Sequence, residues 1–207
     1  MSTIPQTAAD PAAALASVWR GVLVDAHRAL VDVVSGIGVD QWQLPTPCSE
    51  WTVTQVIQHA AADQRLYAHA LGVGGGPDYD PFAPSGTIDG QAATLIATAV
   101  DEAAAAWGSV GEDTATVPTP LPHGELPTPV AAVMCGLDAA VHAWDIAVAT
   151  GQRSPLTEEL ATVFLIAATG LVDPLRQFGV FAAALDTEAD ATAVERLLRY
   201  LGRNPRP

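Results

Sequence analysis

Positive charge is scarce in this sequence. Nine Lys plus Arg stand against 23 Asp plus Glu over 207 residues, a formal net charge of −14 at pH 7. A chain this acidic has no electrostatic hold on nucleic-acid phosphates or on an anionic membrane surface, so neither is expected as a partner. Long apolar runs are missing too. The longest strongly apolar stretch, VFLIAATGLV at 163–172, covers about half of the ~20 residues needed to cross a bilayer, and acidic rather than basic residues flank it. It reads as a core helix, not an anchor.

Cysteine is nearly absent, with only Cys48 and Cys135. The opening residues, MSTIPQTAAD, have neither the positive region nor the apolar region of an export signal. A cytoplasmic location with both thiols reduced is the expectation. The glycine-rich GVGGGP at 72–77 lacks the Gly-Lys-Ser/Thr ending and the strand–turn–helix setting of a phosphate loop.

What is present is helical patterning. The chain is long enough for one well-buried core, so a single domain over 1–207 is expected, with the segment from about 175 as a small appendage. Leu15, Val18, Trp19, Val22, Leu23, Ala26, Leu30 and Val33 recur at helical spacing and predict a long helix over about 11–35, stopped by Gly36 and Gly38. Thr52 with Gln55 forms a capping-box pattern that opens a second helix near Val53, running to about Leu71. A third helix is expected at about 89–107. The segment TVPTPLPHGELPTP at 116–129 is a proline-punctuated connection, too broken for helix and too polar for a buried strand. Beyond it, Thr128 and Pro129 open a helix that Gly151 ends. Another helix starts at Thr157, and ATAVERLLRYLG forms a short amphipathic one stopped by Gly202. With no strand series and no internal repeat, the fold class is all-α: a four-helix bundle with additional short helices.

Within the 129–150 helix, LDAAVHAWDIAVATG at 137–151 places Asp138, His142 and Asp145 four and then three residues apart, on one helix face. Asp-x-x-x-His lets two side chains converge on one ion, although a salt-bridged or water-linked pair satisfies the same spacing. His59, on an earlier helix, can complete a two-His, one-carboxylate set with open positions. His-x-x-Asp also shares that face, so spacing leaves both Asp138 and Asp145 open as the carboxylate. His27 and His69 read as surface or hydrogen-bonded residues, His123 as solvated, Trp144 as packing, and neither cysteine as a nucleophile. Arg65, Arg176 and Arg199 are candidates to bind a carboxylate, and nothing in the sequence ranks them.

Three motifs, TPCSEWTVTQVIQHAAAD at 46–63, LDAAVHAWDIAVATG at 137–151 and LLRYLGRNP at 197–205, resemble the DinB-like metal-binding superfamily. The likeness is to its actinobacterial branch, which includes mycothiol-dependent maleylpyruvate isomerase, and it runs from about residue 20 to the end. It implies a DinB-like four-helix bundle holding a divalent metal, zinc first with nickel or iron as alternatives. Carried over position by position, the ligands are His59, Asp138 and His142, which leaves Asp145 to hydrogen-bond a ligand or meet a neighbouring helix end. Two departures stand out. The isomerases of this family usually have Glu where this chain has Asp138, and often a basic residue where it has Ala143.

The resemblance further implies a mycothiol-dependent transferase or isomerase whose partners are a small thiol and a small electrophile, acting as monomer or homodimer. A bound thiol is deprotonated near neutral pH, and its thiolate adds to an electrophilic carbon. In an isomerase it leaves again after rotation about the former double bond; in a transferase it stays. Water in the thiol's place would give a hydrolase. The rival is a non-catalytic metal-binding or stress-associated module.

Overall fold

The computed structural model describes residues 10–48 and 51–206. Residues 1–9, which carry most of the segment read as lacking an export signal, lie outside it. Eight helices and one two-stranded sheet make up the described chain: α1 Pro11–Leu15, α2 Trp19–Ser35, α3 Val53–Ala70, α4 Ala92–Ser109, β1 Thr116–Pro118, β2 Glu125–Pro127, α5 Thr128–Thr150, α6 Glu158–Ala168, α7 Val172–Arg176 and α8 Ala193–Tyr200. Helices α2, α3, α4 and α5 close a ring in which α2 packs on α4 and α5, and α3 packs on the same two. The fold is an all-α, DinB-like four-helix bundle, with α1, α6 and α8 packed around it.

Local chemistry sets the helix ends. The capping box of α3 forms: Gln55 N donates to Thr52 Oγ1 and Thr52 N to Gln55 Oε1 at 3.0 Å. A second box, Thr192 with Glu195, opens α8. Gly151 ends α5 at φ 69°, a left-handed conformation that a side chain would strain.

Two expectations need correction. The single helix over 11–35 is divided at Ala16–Val18: both pieces pack on α5, but α1 also docks on α6 and α2 on α4. Leu15 of α1 is fully buried where α1 meets α5 and α6, whereas α2 turns to lie along α4 and α5. The 116–129 connection is also more ordered than its prolines suggest. Its ends pair as an antiparallel hairpin with Val117 opposite Leu126, both buried, and exposed residues beside them. One inward residue per strand is too little alternation to register as a strand in sequence.

Helix α5 is the spine of the core. By length and composition it could cross a membrane, with a mean hydropathy of 1.4, but 94% of that apolar window is buried inside the protein. A helix enclosed all round needs no polar face. Asp138, His142 and Asp145 are therefore conspicuous in it.

Candidate metal centre

Antiparallel partners α3 and α5 bring their polar residues together beneath one cavity. The His59 and His142 rings stand 4.8 Å apart, nearly perpendicular. One ligand atom from each of His59, Asp138 and His142 lies within 4.8 Å of the others, a group able to hold a metal ion. His142 Nε2 is 3.4 Å from Asp138 Oδ1, one turn away on α5. On α3 the order is reversed: His59 Nε2 is 3.6 Å from Asp63 Oδ2, one turn further on. Neighbouring donors of a tetrahedral ion, at bonds of ~2.0–2.2 Å, stand ~3.3–3.6 Å apart, so the His142–Asp138 separation suits one.

Each imidazole is oriented by its other nitrogen. His59 Nδ1 lies 2.8 Å from the Pro81 carbonyl oxygen, which can only accept, so Nδ1 carries the proton and Nε2 faces the cavity with a lone pair. His142 Nδ1 donates to Asp145 Oδ2 at 3.1 Å, which frees Nε2 in the same way. Asp145 in turn receives both arms of a guanidinium fork, Arg203 Nε at 2.9 Å and Nη2 at 2.8 Å. It is fully buried and Arg203 nearly so. Hydrogen-bonded carboxylates behind ligand imidazoles are a recurring device for fixing ring orientation.

The protonation pattern fits a cation. Burial, with the charge of His142 adding, pushes the His59 imidazole down to about 4, so it is a neutral donor at physiological pH. At His142 burial acts in the same direction, but Asp138 and Asp145 outweigh it and hold the pKa well above the ordinary value. Burial likewise opposes ionised Asp138, yet His142 prevails and its carboxyl stays below the usual range. Asp63, pressed by burial and by Asp138 beside it, sits well above that range. The cluster demands positive charge. A proton on His142 meets part of that demand, and a divalent cation would meet it while releasing the proton.

Cys48, His142 and Asp145 form a second group with ligand atoms as close. It is the poorer site: Asp145 is already held by Arg203, and burial pushes the Cys48 thiol up, away from the thiolate that binds metals. The cavity, about 320 Å³, is lined by His59, Asp63, Asp138 and His142 but not by Asp145.

A family profile described as the mycothiol maleylpyruvate isomerase N-terminal domain matches residues 23–147, more than half the chain. This chain belongs to that family. Two relatives from Mycobacterium tuberculosis, the uncharacterized proteins Rv0738 of strain ATCC 25618 / H37Rv and MT0763 of strain CDC 1551 / Oshkosh, are each 33% identical to it over 184 residues, spanning 87% of this chain and 95% of theirs. No solved structure matches it at a significant level.

The family match takes in α3 and most of α5 and stops short of Arg203. Arg203 and Asp63 are the two site residues that sequence reasoning missed. Each lies inside a quoted motif: Asp63 ends HAAAD, four residues after His59, and Arg203 follows the Gly202 stop of α8 in LGRNP. The family's middle segment, which carries no motif, supplies the Pro81 carbonyl. Gln58 of α3 holds that segment in place, donating to the Thr87 carbonyl at 2.9 Å and accepting from Gly86 N at 2.8 Å.

The remaining polar candidates go elsewhere. His27 Nε2 meets Gln64 Oε1 at 2.8 Å in the core, and Gln64 Nε2 donates to Asp138 Oδ2 at 3.3 Å. His69 bonds the Gly74 carbonyl. His123 is not freely solvated: it is half-buried and its ring nitrogens are shielded, with no partner among the described residues. Arg65 pairs with Glu102, while Arg176 and Arg199 hold carbonyls of the C-terminal segment; none of the three lines the cavity. Trp144 packs in the core, as does Cys135.

Proposed function

We propose that this protein is a divalent-metal-dependent thiol enzyme, a transferase or isomerase acting on a small electrophile. In this reading His59, Asp138 and His142 hold the ion, zinc foremost, and mycothiol is the thiol. The observation that carries it is the convergence of these three donors within 4.8 Å at the floor of a cavity large enough for a small molecule. Family membership favours mycothiol over other thiols. The whole chain is taken as one cytoplasmic domain, monomeric or homodimeric.

A divalent cation bound here supplies the charge that stabilises a thiolate near neutral pH. The chain's own residues do the positioning. Pro81 and Asp145 turn the two imidazoles so that both Nε2 atoms face the cavity, and Arg203 keeps Asp145 ionised while buried. Tyr67, held protonated by burial, lines the same wall, and apolar side chains around it keep water from the reacting sulfur. As a transferase the protein would form a C–S bond as the C=C π bond of a conjugated electrophile opens, the proton lost from the thiol ending on the neighbouring carbon. As an isomerase it would form that bond as the π bond opens, allow rotation about the resulting single bond, and break the C–S bond again as the π bond re-forms.

Metal analysis of the purified protein is expected to give stoichiometric divalent metal, which His59→Ala loses together with the metal-dependent rise in Tm. Added mycothiol is expected to perturb the visible spectrum of the cobalt-substituted protein. Absence of metal from the wild type sinks the proposal. A cobalt spectrum that no thiol perturbs removes the enzyme reading and leaves a non-catalytic metal module. Asp63 favours that second reading, since its Oδ2 lies close enough to His59 Nε2 to fill an open position.

A further inference from the structure

Three of the four phenylalanines in this chain, Phe82, Phe178 and Phe181, line the candidate metal cavity. Phe82 and Phe178 are 57% and 61% exposed, among the few large apolar side chains left open to solvent, and they approach the same mouth from loops nearly a hundred residues apart. Exposed phenyl rings gathered at a cavity mouth are a costly surface unless something apolar covers them. Deeper in, Leu121, Leu137 and Val141 continue the apolar wall down to the donor cluster.

Charge points the same way. The sequence contains no lysine, so its nine cations are all arginines. Among the described residues only Arg203 reaches the cavity lining, and both arms of its fork are engaged by Asp145. Besides Arg203, the polar side chains of the lining are two carboxyls, Asp63 and Asp138, two imidazoles and the uncharged Tyr67 hydroxyl, none of them a free cation held for an anion. A divalent ion there, balanced by ionised Asp138 and one thiolate, leaves no net positive charge to hold a further anion.

From this wall and this charge balance we infer that the cavity takes an uncharged, predominantly apolar co-substrate and rejects dicarboxylates. At about 320 Å³ it sits at the small end of the ~300–1,000 Å³ range of small-molecule sites. The inference rests on the proposed function for calling the occupant a co-substrate and for counting the ion and the thiolate in the charge balance. The apolar wall and the lack of a free cation among the described lining residues select the occupant whether or not the metal is catalytic.

The test is fluorescence titration of the full chain, zinc-loaded and saturated with mycothiol, with N-phenyl-1-naphthylamine, an uncharged probe that brightens in apolar surroundings. Saturable binding is expected, displaced by 1-naphthol and unaffected by millimolar maleate. Phe178→Ala, at a position too exposed to matter for folding, is expected to weaken the probe about tenfold, the scale of one phenyl ring's burial. Phe181→Ala should act in the same direction. The inference is overturned if maleate displaces the probe at lower concentration than 1-naphthol does, if the probe does not bind, or if both alanine variants bind it as the wild type does. Repeating the titration on metal-free protein separates the two ideas. Failure of metal binding with the probe selectivity intact removes the proposed enzyme and leaves this inference standing.

Discussion

The carboxylate of Asp145 is fully buried, yet neither oxygen is unpaired: the Arg203 fork engages both, and His142 Nδ1 donates to one. Removing one member of a buried ion pair strands the other, at a cost of about 3–5 kcal/mol. Arg203→Met should lower the unfolding free energy by that amount in urea titrations, and the double variant with Asp145→Asn should recover part of it. A loss below ~1 kcal/mol would mean the pair does not hold the C-terminal segment. In the proposed reading Asp145→Asn should also lower metal affinity, by about 10–100-fold, because His142 loses the carboxylate that orients it. Spacing alone could not choose between Asp138 and Asp145, since both share a helix face with His142. The difference lies in what stands opposite each: a cavity at Asp138, and an arginine 58 residues further along at Asp145.

Helix α5 packs closely on α2 at position 136, which has room for a methyl group and little more. A Cβ built there would meet Ala26 Cβ at 3.4 Å and Leu23 Cα at 3.6 Å, ordinary contact distances. Gly136→Ala should therefore stabilise the protein by about 0.5–1 kcal/mol, the cost of a helix-interior glycine. Gly136→Val should destabilise it by ~1–3 kcal/mol, as its branches must displace α2. Chemical denaturation of the pair tests this, and equal effects of the same sign would show that the helices are not in close contact here. Most helices were legible because caps and periodicity are local: the Thr52–Gln55 box and the Gly151 stop act where the sequence places them, while α5 starts one residue early, at Thr128, whose hydroxyl donates to the Thr114 carbonyl instead of capping the helix. The break at 16–18 and the Val117–Leu126 pairing were not legible, since both answer to partners distant in the chain.

At the scale of the whole molecule the excess of 14 negative charges dominates. The arginines of the surface ion pairs among the described residues, Arg28 with Asp25, Arg176 with Asp173 and Arg206 with Glu195, are already counted in that balance and leave the excess in place. Self-repulsion of this kind weakens the compact state and is screened by salt, the Debye length falling from ~30 Å at ~0.01 M to ~8 Å at ~0.15 M. Over that range Tm should rise by about 2–4 °C, the equivalent of ~1 kcal/mol for a chain of this size. A Tm that falls in calorimetry would mean that the few ion pairs outweigh the repulsion.

The sequence by itself determined the all-α class, the four bundle helices and the family, because these depend on periodicity, caps and short motifs written in consecutive residues. It also placed His59, Asp138 and His142 on helix faces able to converge. The tertiary structure alone decided that Asp63 stands beside His59, that Pro81 orients one imidazole and Arg203, through Asp145, the other, and that phenylalanines from two separate loops wall one cavity with no free cation among its described residues. Those contacts join segments far apart in the chain, and only the packing of α3 against α5, with the loops folded over them, brings them within bonding distance.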